Sequence, residues 1–247
     1  MPYVRKPRST MRRPYKKRTM RRKPTASSMY NIARNVLRSN VETKSRITSY
    51  STSGMILSHN VPRLVASQLL QTSQGTDSGA TSGNRVGISV QPVGIKLYIE
   101  INQEQPAAAT GLLNGDIWVK FWVCSTHHSN VNTSNDFLRL ISSNTMLAPV
   151  QRRTHNVIRS FKLNLRNYFT HWNAGSAIDA TPAFKTRTIW IPMNKIKQYL
   201  YENDVTDNGK YFDYCCHAVA FSAHPSVNTS TALAAVKLNT EFFFKDA

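Results

Sequence analysis

The sequence predicts an all-β protein: a single eight-stranded jelly roll (β-sandwich) behind a disordered basic N-terminal arm. Three observations lead there. The body of the chain carries about eight strand patterns and no rhythm of long helices between them. The segments joining those patterns are too long and too polar for simple hairpins, which argues against an up-and-down barrel. Positive charge is concentrated at one end: thirteen of the 32 Lys+Arg, and none of the 13 Asp+Glu, precede residue 42. With 247 residues, 40% of them hydrophobic, the chain is long and apolar enough to bury a core, so wholesale disorder is excluded.

The arm comes first. Its basic residues are Arg5, Lys6, Arg8, Arg12, Arg13, Lys16, Lys17, Arg18, Arg21, Arg22, Lys23, Arg34 and Arg38. Pro2, Pro7, Pro14 and Pro24 punctuate it, and aliphatic side chains are nearly absent before residue 25, so burial has nothing with which to offset ordering entropy. Unopposed like charges at this density bind phosphate backbones by releasing condensed counterions, without reading sequence. The same blocks serve as nuclear-import signals. Tyr3 and Tyr15 add a minor stacking surface for bases. Over 28–38 the pattern changes. Met29, Ile32, Ala33, Val36 and Leu37 follow helical spacing, with Arg34 and Arg38 between them and Ser27 or Ser28 as N-cap, which predicts a short amphipathic helix. Its stripe needs a covering surface, because a helix of about three turns is marginal alone in water.

The body, 42–247, opens on Arg46-Ile-Thr-Ser-Tyr-Ser and Gly54-Met-Ile-Leu, read as two strands. A polar loop over 67–84, rich in Ser, Thr, Gly and Gln, is expected to contribute little core and, with 103–115 and 173–185, to lie on the outer surface. Val86-Gly-Ile-Ser-Val leads into Val93-Gly-Ile-Lys-Leu-Tyr-Ile-Glu-Ile, where Ile95, Leu97, Ile99 and Ile101 alternate with Lys96, Tyr98 and Glu100, a strand with one buried face. Asp116-Ile-Trp-Val-Lys-Phe-Trp-Val-Cys is apolar almost throughout, as a central strand covered on both faces would be. Further strands are predicted over 156–165, 187–192, 211–222 and 232–244, with short helices over 135–142 and 194–201.

No catalytic pattern emerges. The chain has no phosphate-binding glycine loop, nucleophile elbow or zinc-protease helix, and its acidic residues are scattered, so an enzyme is not expected and no cofactor is implied. Glu202, Asp204 and Asp207 form a loop that reads either as an exposed turn, favoured because the EF-hand ligand spacing is missing, or as a divalent-cation site. Cys124, His127 and His128 on one strand end, with Cys215, Cys216 and His217 on another, bring soft ligands near each other, but Cys215 and Cys216 point to opposite faces of a regular strand. Small buried cysteines and loop histidines are the default reading there, and no metal site is assigned. Three cysteines are too few for a disulfide framework, and no apolar run reaches the ~18 residues that span a bilayer, so an unsecreted protein without membrane insertion is expected. A second basic set, Arg152, Arg153, Arg159, Lys162 and Arg166, surrounds the 156–165 strand, with Tyr168, His171 and Trp172 beyond it. It reads either as a solvated rim or as a nucleic-acid-facing surface that continues the arm.

A proline-punctuated basic arm followed by some 200 residues of jelly-roll-like strands resembles the capsid proteins of small circular Rep-encoding single-stranded DNA viruses, the circovirus-like group. Asn84-Arg-Val-Gly-Ile-Ser-Val is similar to that family's arginine-glycine segment before an early strand, and Leu238-Asn-Thr-Glu-Phe-Phe-Phe-Lys-Asp to its aromatic last strand. The resemblance implies a capsid protein that self-assembles into a small icosahedral T=1 shell of 60 copies. It implies an arm that packages circular single-stranded DNA and directs nuclear localisation, with a nuclear import receptor and a cell-surface attachment factor as host partners, and residence in the virion and host nucleus. Two other readings of the same residues are a cellular nucleic-acid-binding protein with a basic tail and the coat protein of a small RNA virus.

Overall fold

The structure, a computed structural model, describes residues 29, 30, 33, 36, 42–75, 83–104, 116–127, 137–139, 144–166, 183–193, 195–203, 209–223 and 227–246. The chain divides into two units, Met1–Val41 and Glu42–Ala247. In the first, Met29, Tyr30, Ala33 and Val36 are helical and exposed, at positions where the amphipathic pattern predicts a helix. The remainder of that predicted helix, Ile32, Arg34, Leu37 and Arg38 included, lies outside the described residues.

In the second unit every regular element among the described residues is a strand: β1 (Lys44–Ser58), β2 (Arg63–Ala66), β3 (Ser89–Gln103), β4 (Ile117–His127), β5 (His155–Leu165), β6 (Phe184–Pro192), β7 (Tyr199–Leu200), β8 (Phe212–Ser222) and β9 (Ala232–Asp246). They form two antiparallel sheets, a β-sandwich. One runs β1-β9-β3-β6 with β7 added to β3, and the other runs β2-β8-β4-β5.

Alternation decides what lies between the sheets. On β3, Ile95, Leu97, Ile99 and Ile101 turn inward, opposite Phe242, Leu238 and Val236 of β9, and join a single core with Val119, Phe121 and Val123 of β4. Phe121 stacks on Phe161 of β5 with centroids 5.1 Å apart, and Phe242 on Phe244 at 5.2 Å. The outward residues of β3 and β9 pair in water: Lys237 bonds Glu100 at 2.9 Å, and the Tyr98 hydroxyl donates to Glu241 at 2.7 Å. β4 is covered on both sides, as its composition predicts. Its outer face, Trp122 and Cys124, lies beneath Phe137, Leu138, Met146 and Ala148 in a second cluster.

Several elements differ from the sequence reading, each for a local reason. The two strands expected between residues 46 and 57 are one, because Ser51 and Gly54 take positive φ of 57° and 86° and carry a register shift that lets β1 continue along β9. β3 likewise absorbs the end of the 86–90 segment. Among the described residues there are nine strands where eight were expected; β7 has two residues, and β2 has four, too short to leave a pattern. The 194–201 helix is absent from its described residues. Tyr199 pairs with Val90, Tyr201 N donates to Ile88 O at 2.8 Å, and the two tyrosine rings meet edge to face at 5.0 Å. In the 135–142 helix the described residues, 137–139, are not helical: Leu138 is bridged to Val150 between two bends. The 67–84 loop is not a bystander: Leu69 and Leu70 are buried in the main core, and the Thr72 hydroxyl donates to Gly83 O at 2.8 Å. At Gly94 the Trp190 side chain of β6 lies against the backbone of β3; a Cβ there would collide with its indole.

Candidate nucleic-acid interface

The thirteen basic residues of the arm, from Arg5 to Arg38, lie outside the described residues, as do Tyr168, His171, Trp172 and His128. The five basic residues of the body are all described and all exposed, and strand geometry distributes them over four places. Arg152 and Arg153 sit in the turn before β5. Together with Arg139 they line a concave surface of about 590 Å³ whose floor is Pro149, Val150 and Gln151. Arg139 arrives there because its N–H donates to Pro149 O at 2.9 Å and Leu138 bridges Val150. Three arginines lining one concavity supply planar N–H pairs of the kind that a phosphate accepts on two oxygens.

Lys162 occupies the outer face of β5, directly opposite Lys120 of β4. Like charges facing each other across a ladder repel. Lys120 answers by donating to Met146 O and lying 4.6 Å over the Trp122 ring, while burial and, behind it, the charge of Lys162 draw its ammonium below the ordinary lysine value. An approaching anion relieves that repulsion. Arg159 is on the other face. Its register partner is Val123, it reaches across the open side of the sandwich, and its guanidinium donates to Trp190 O of β6 at 2.6 Å. Lys185 of β6 returns the link, donating to Asn164 O of β5 at 3.1 Å. These two cations close the edge between the sheets. Arg166 follows the end of β5. Arg139 is the basic residue that sequence reasoning missed, because it falls inside the segment read as helix and its partners lie ten or more residues away.

Of the soft ligands read from the sequence, Cys124 and Cys215 are register partners on the outer face of β4 and β8, with His217 on the same face of β8, while Cys216 faces the other way. Cys124, Cys215 and Cys216 are free and buried. Cys216 faces the main core, whereas Cys124 and Cys215 face the outer cluster, as alternation requires. Burial pushes the Cys124 thiol up to about 12 and raises Cys215 and Cys216 as well, so none is a thiolate at neutral pH. His127 ends β4 against the ring of Phe212 at 6.3 Å. His217 meets instead a histidine that the sequence reading did not single out, His155, with ring centroids 5.2 Å apart. Burial, reinforced by His155, draws His217 down to about 3.

No family model matches the chain, and no curated protein matches it. Among solved structures the chain is similar to the BFDV capsid protein, whose crystal structure is of a 60-mer, over 83% of this chain and 92% of that one, with 11% identity and a TM-score of 0.31.

Proposed function

We propose that the chain is a capsid protein that self-assembles into a small icosahedral shell of 60 copies and packages circular single-stranded DNA through the basic segment 1–41. The observation that supports it most is the joining of that segment to this strand order. Along the chain, β1 and β3 enter one sheet, β2, β4 and β5 the other, then β6 the first, β8 the second and β9 the first again. Orders β1-β9-β3-β6 and β2-β8-β4-β5 fit two Greek keys folded over one another, a jelly roll in which β7 is an accessory. Jelly rolls also serve lectins and cupins. Thirteen basic residues without one acidic residue favour a polyanion as cargo over a sugar or small ligand as substrate.

Charge also sets the order of events. Sixty such arms carry about 780 positive charges, enough to neutralise much of a genome of roughly a thousand phosphates, and their mutual repulsion opposes closure until nucleic acid is present. Assembly and packaging are therefore one coupled process. The concavity of Arg139, Arg152 and Arg153, with Lys162 beside Lys120, adds a second phosphate-binding surface on the body. The Lys/Arg blocks double as the signal for a nuclear import receptor, and a cell-surface attachment factor completes the partners, which places the protein in the virion and, during assembly, in the host nucleus.

The test is co-purification. Full-length protein and a chain lacking residues 1–41 are isolated from the same cells after nuclease treatment. Protected circular single-stranded DNA travelling with the first and not the second supports the reading; protected RNA moves it to a small RNA virus coat. Free protein with no protected nucleic acid refutes packaging.

A further inference from the structure

The outer face of the second sheet holds a cluster that the shell reading leaves unused. Cys215 and His217 of β8 lie beside Trp122 and Cys124 of β4, beneath Phe137, Met146 and Ala148. His155, the first residue of β5, enters from the other side of β4, its ring at 85° to that of His217. Phe137 closes the top, stacked on the His217 ring at 4.0 Å and 5°, and edge-on to His155 at 5.2 Å. One donor atom from each of His155, Cys215 and His217 lies within 4.8 Å of the other two, and all three residues are buried. Some point is then within about 2.8 Å of every donor, so inward movements of about 0.5 Å for sulfur and about 0.8 Å for nitrogen give metal–sulfur and metal–nitrogen bonds of about 2.3 and 2.0 Å.

The hydrogen bonds point the same way. Thr154 Oγ1 donates to Gln151 O at 3.1 Å and lies 2.8 Å from His155 Nδ1. With its only proton so directed, the hydroxyl accepts from Nδ1–H, which leaves the Nε2 lone pair bare. Nε2 of His155 and both ring nitrogens of His217 are buried and have no hydrogen-bond partner, in residues only 1% and 0% exposed. Buried polar atoms are rarely left so, and an imidazole whose far nitrogen is held by a neighbour is the usual form of a metal ligand. We propose that His155, Cys215 and His217 bind one soft d10 metal ion, Zn(II) or Cu(I), which ties β5 to β8 across β4 and holds the Phe137 segment down. Two imidazoles and a thiolate suit that class of ion and not Mg(II) or Ca(II). Binding forms one sulfur–metal bond, releases the Cys215 proton to solvent and changes no oxidation state.

The test uses the untagged full-length chain. Metal analysis after purification without chelator distinguishes zinc from copper and is expected to give one ion per chain. The metal-free protein is then titrated with Co(II), and separately with Cu(I) under reducing conditions; one equivalent of Co(II) should produce a thiolate-to-cobalt charge-transfer band. C215S should abolish that band, C216S, on the opposite face, should keep it, and T154V should weaken binding about tenfold by freeing the His155 ring. If C215S fails to fold, the wild-type titrations decide alone. Absence of a saturable thiolate signal with both ions, or full metal retention by folded C215S, overturns the proposal.

Discussion

The guanidinium carbon of Arg85 lies 4.0 Å from the centre of the Tyr201 ring, with the whole arginine side chain buried. Its nitrogens donate to Thr72 O at 3.3 Å, to Gly87 O, and to Asn203 O at 3.1 Å, while the Tyr201 hydroxyl donates to Leu70 O at 2.8 Å. One planar cation thus pins the 67–75 loop, the entry to β3 and the segment after β7. A lysine ammonium cannot reach three carbonyls in one plane, so R85K is expected to lose about 3 kcal/mol, and Y201F about 1 kcal/mol. Urea midpoints at unchanged m-value measure both. An R85K midpoint equal to that of wild type would remove Arg85 from the role assigned to it.

Gly94 and Trp190 make a second stability test. A methyl group at 94 meets the indole of β6, so G94A is expected to destabilise by about 1–3 kcal/mol. W190A vacates that space. The double variant should therefore be more stable than the sum of the two single effects, and strict additivity would mean that the two side chains do not meet.

Acid sensitivity is expected at His59. Its Nδ1 accepts the Ser222 N–H at 3.2 Å, and burial lowers its pKa below the ordinary 6.5. A histidine with a lowered folded pKa contributes stability that is complete above 6.5 and is lost as pH falls below it. H59N retains an acceptor and does not titrate. The stability difference between wild type and H59N should accordingly shift against wild type between pH 7 and pH 5, as read by thermal denaturation; a constant difference would contradict it.

Much of the sandwich is legible in the sequence because its signals are local. The alternation of Ile95, Leu97, Ile99 and Ile101 and the two-sided burial of β4 belong to single strands and are read from single strands. What escapes is carried by distant partners. Ile196, Tyr199 and Leu200 have helical spacing while Tyr199 and Tyr201 alternate as in a strand, and pairing with β3 decides between them. Leu69 and Leu70 sit in a polar stretch, yet Leu69 N donates to Tyr214 O at 2.7 Å and draws them inward. Arg139 and His155 gain meaning only from Arg152 and His217, which no spacing rule connects to them.

On the body, the arginine concavity should add to the electrostatics of DNA binding without affecting the fold. Each phosphate that the protein no longer neutralises lowers the salt dependence of single-strand affinity by roughly 0.7 in the log–log slope. The triple change R139A, R152A and R153A is therefore expected to lower that slope by about 2, with an unaltered melting temperature because all three residues are exposed. An unchanged slope would confine DNA binding to the arm.

Removal of residues 1–41 should leave a cooperative thermal transition, since Glu42–Ala247 contains the main core, while nuclear accumulation of a fluorescent fusion disappears. Loss of cooperativity would show that the division between arm and body is misplaced.

The central claim is self-assembly coupled to a polyanion, and negative-stain electron microscopy of the full-length protein, with and without single-stranded DNA at low salt, tests it most directly. Uniform closed particles that form when DNA is added are the predicted result. A small species under every condition, still binding DNA with a steep salt dependence, would contradict it and leave a nucleic-acid-binding protein that builds no shell.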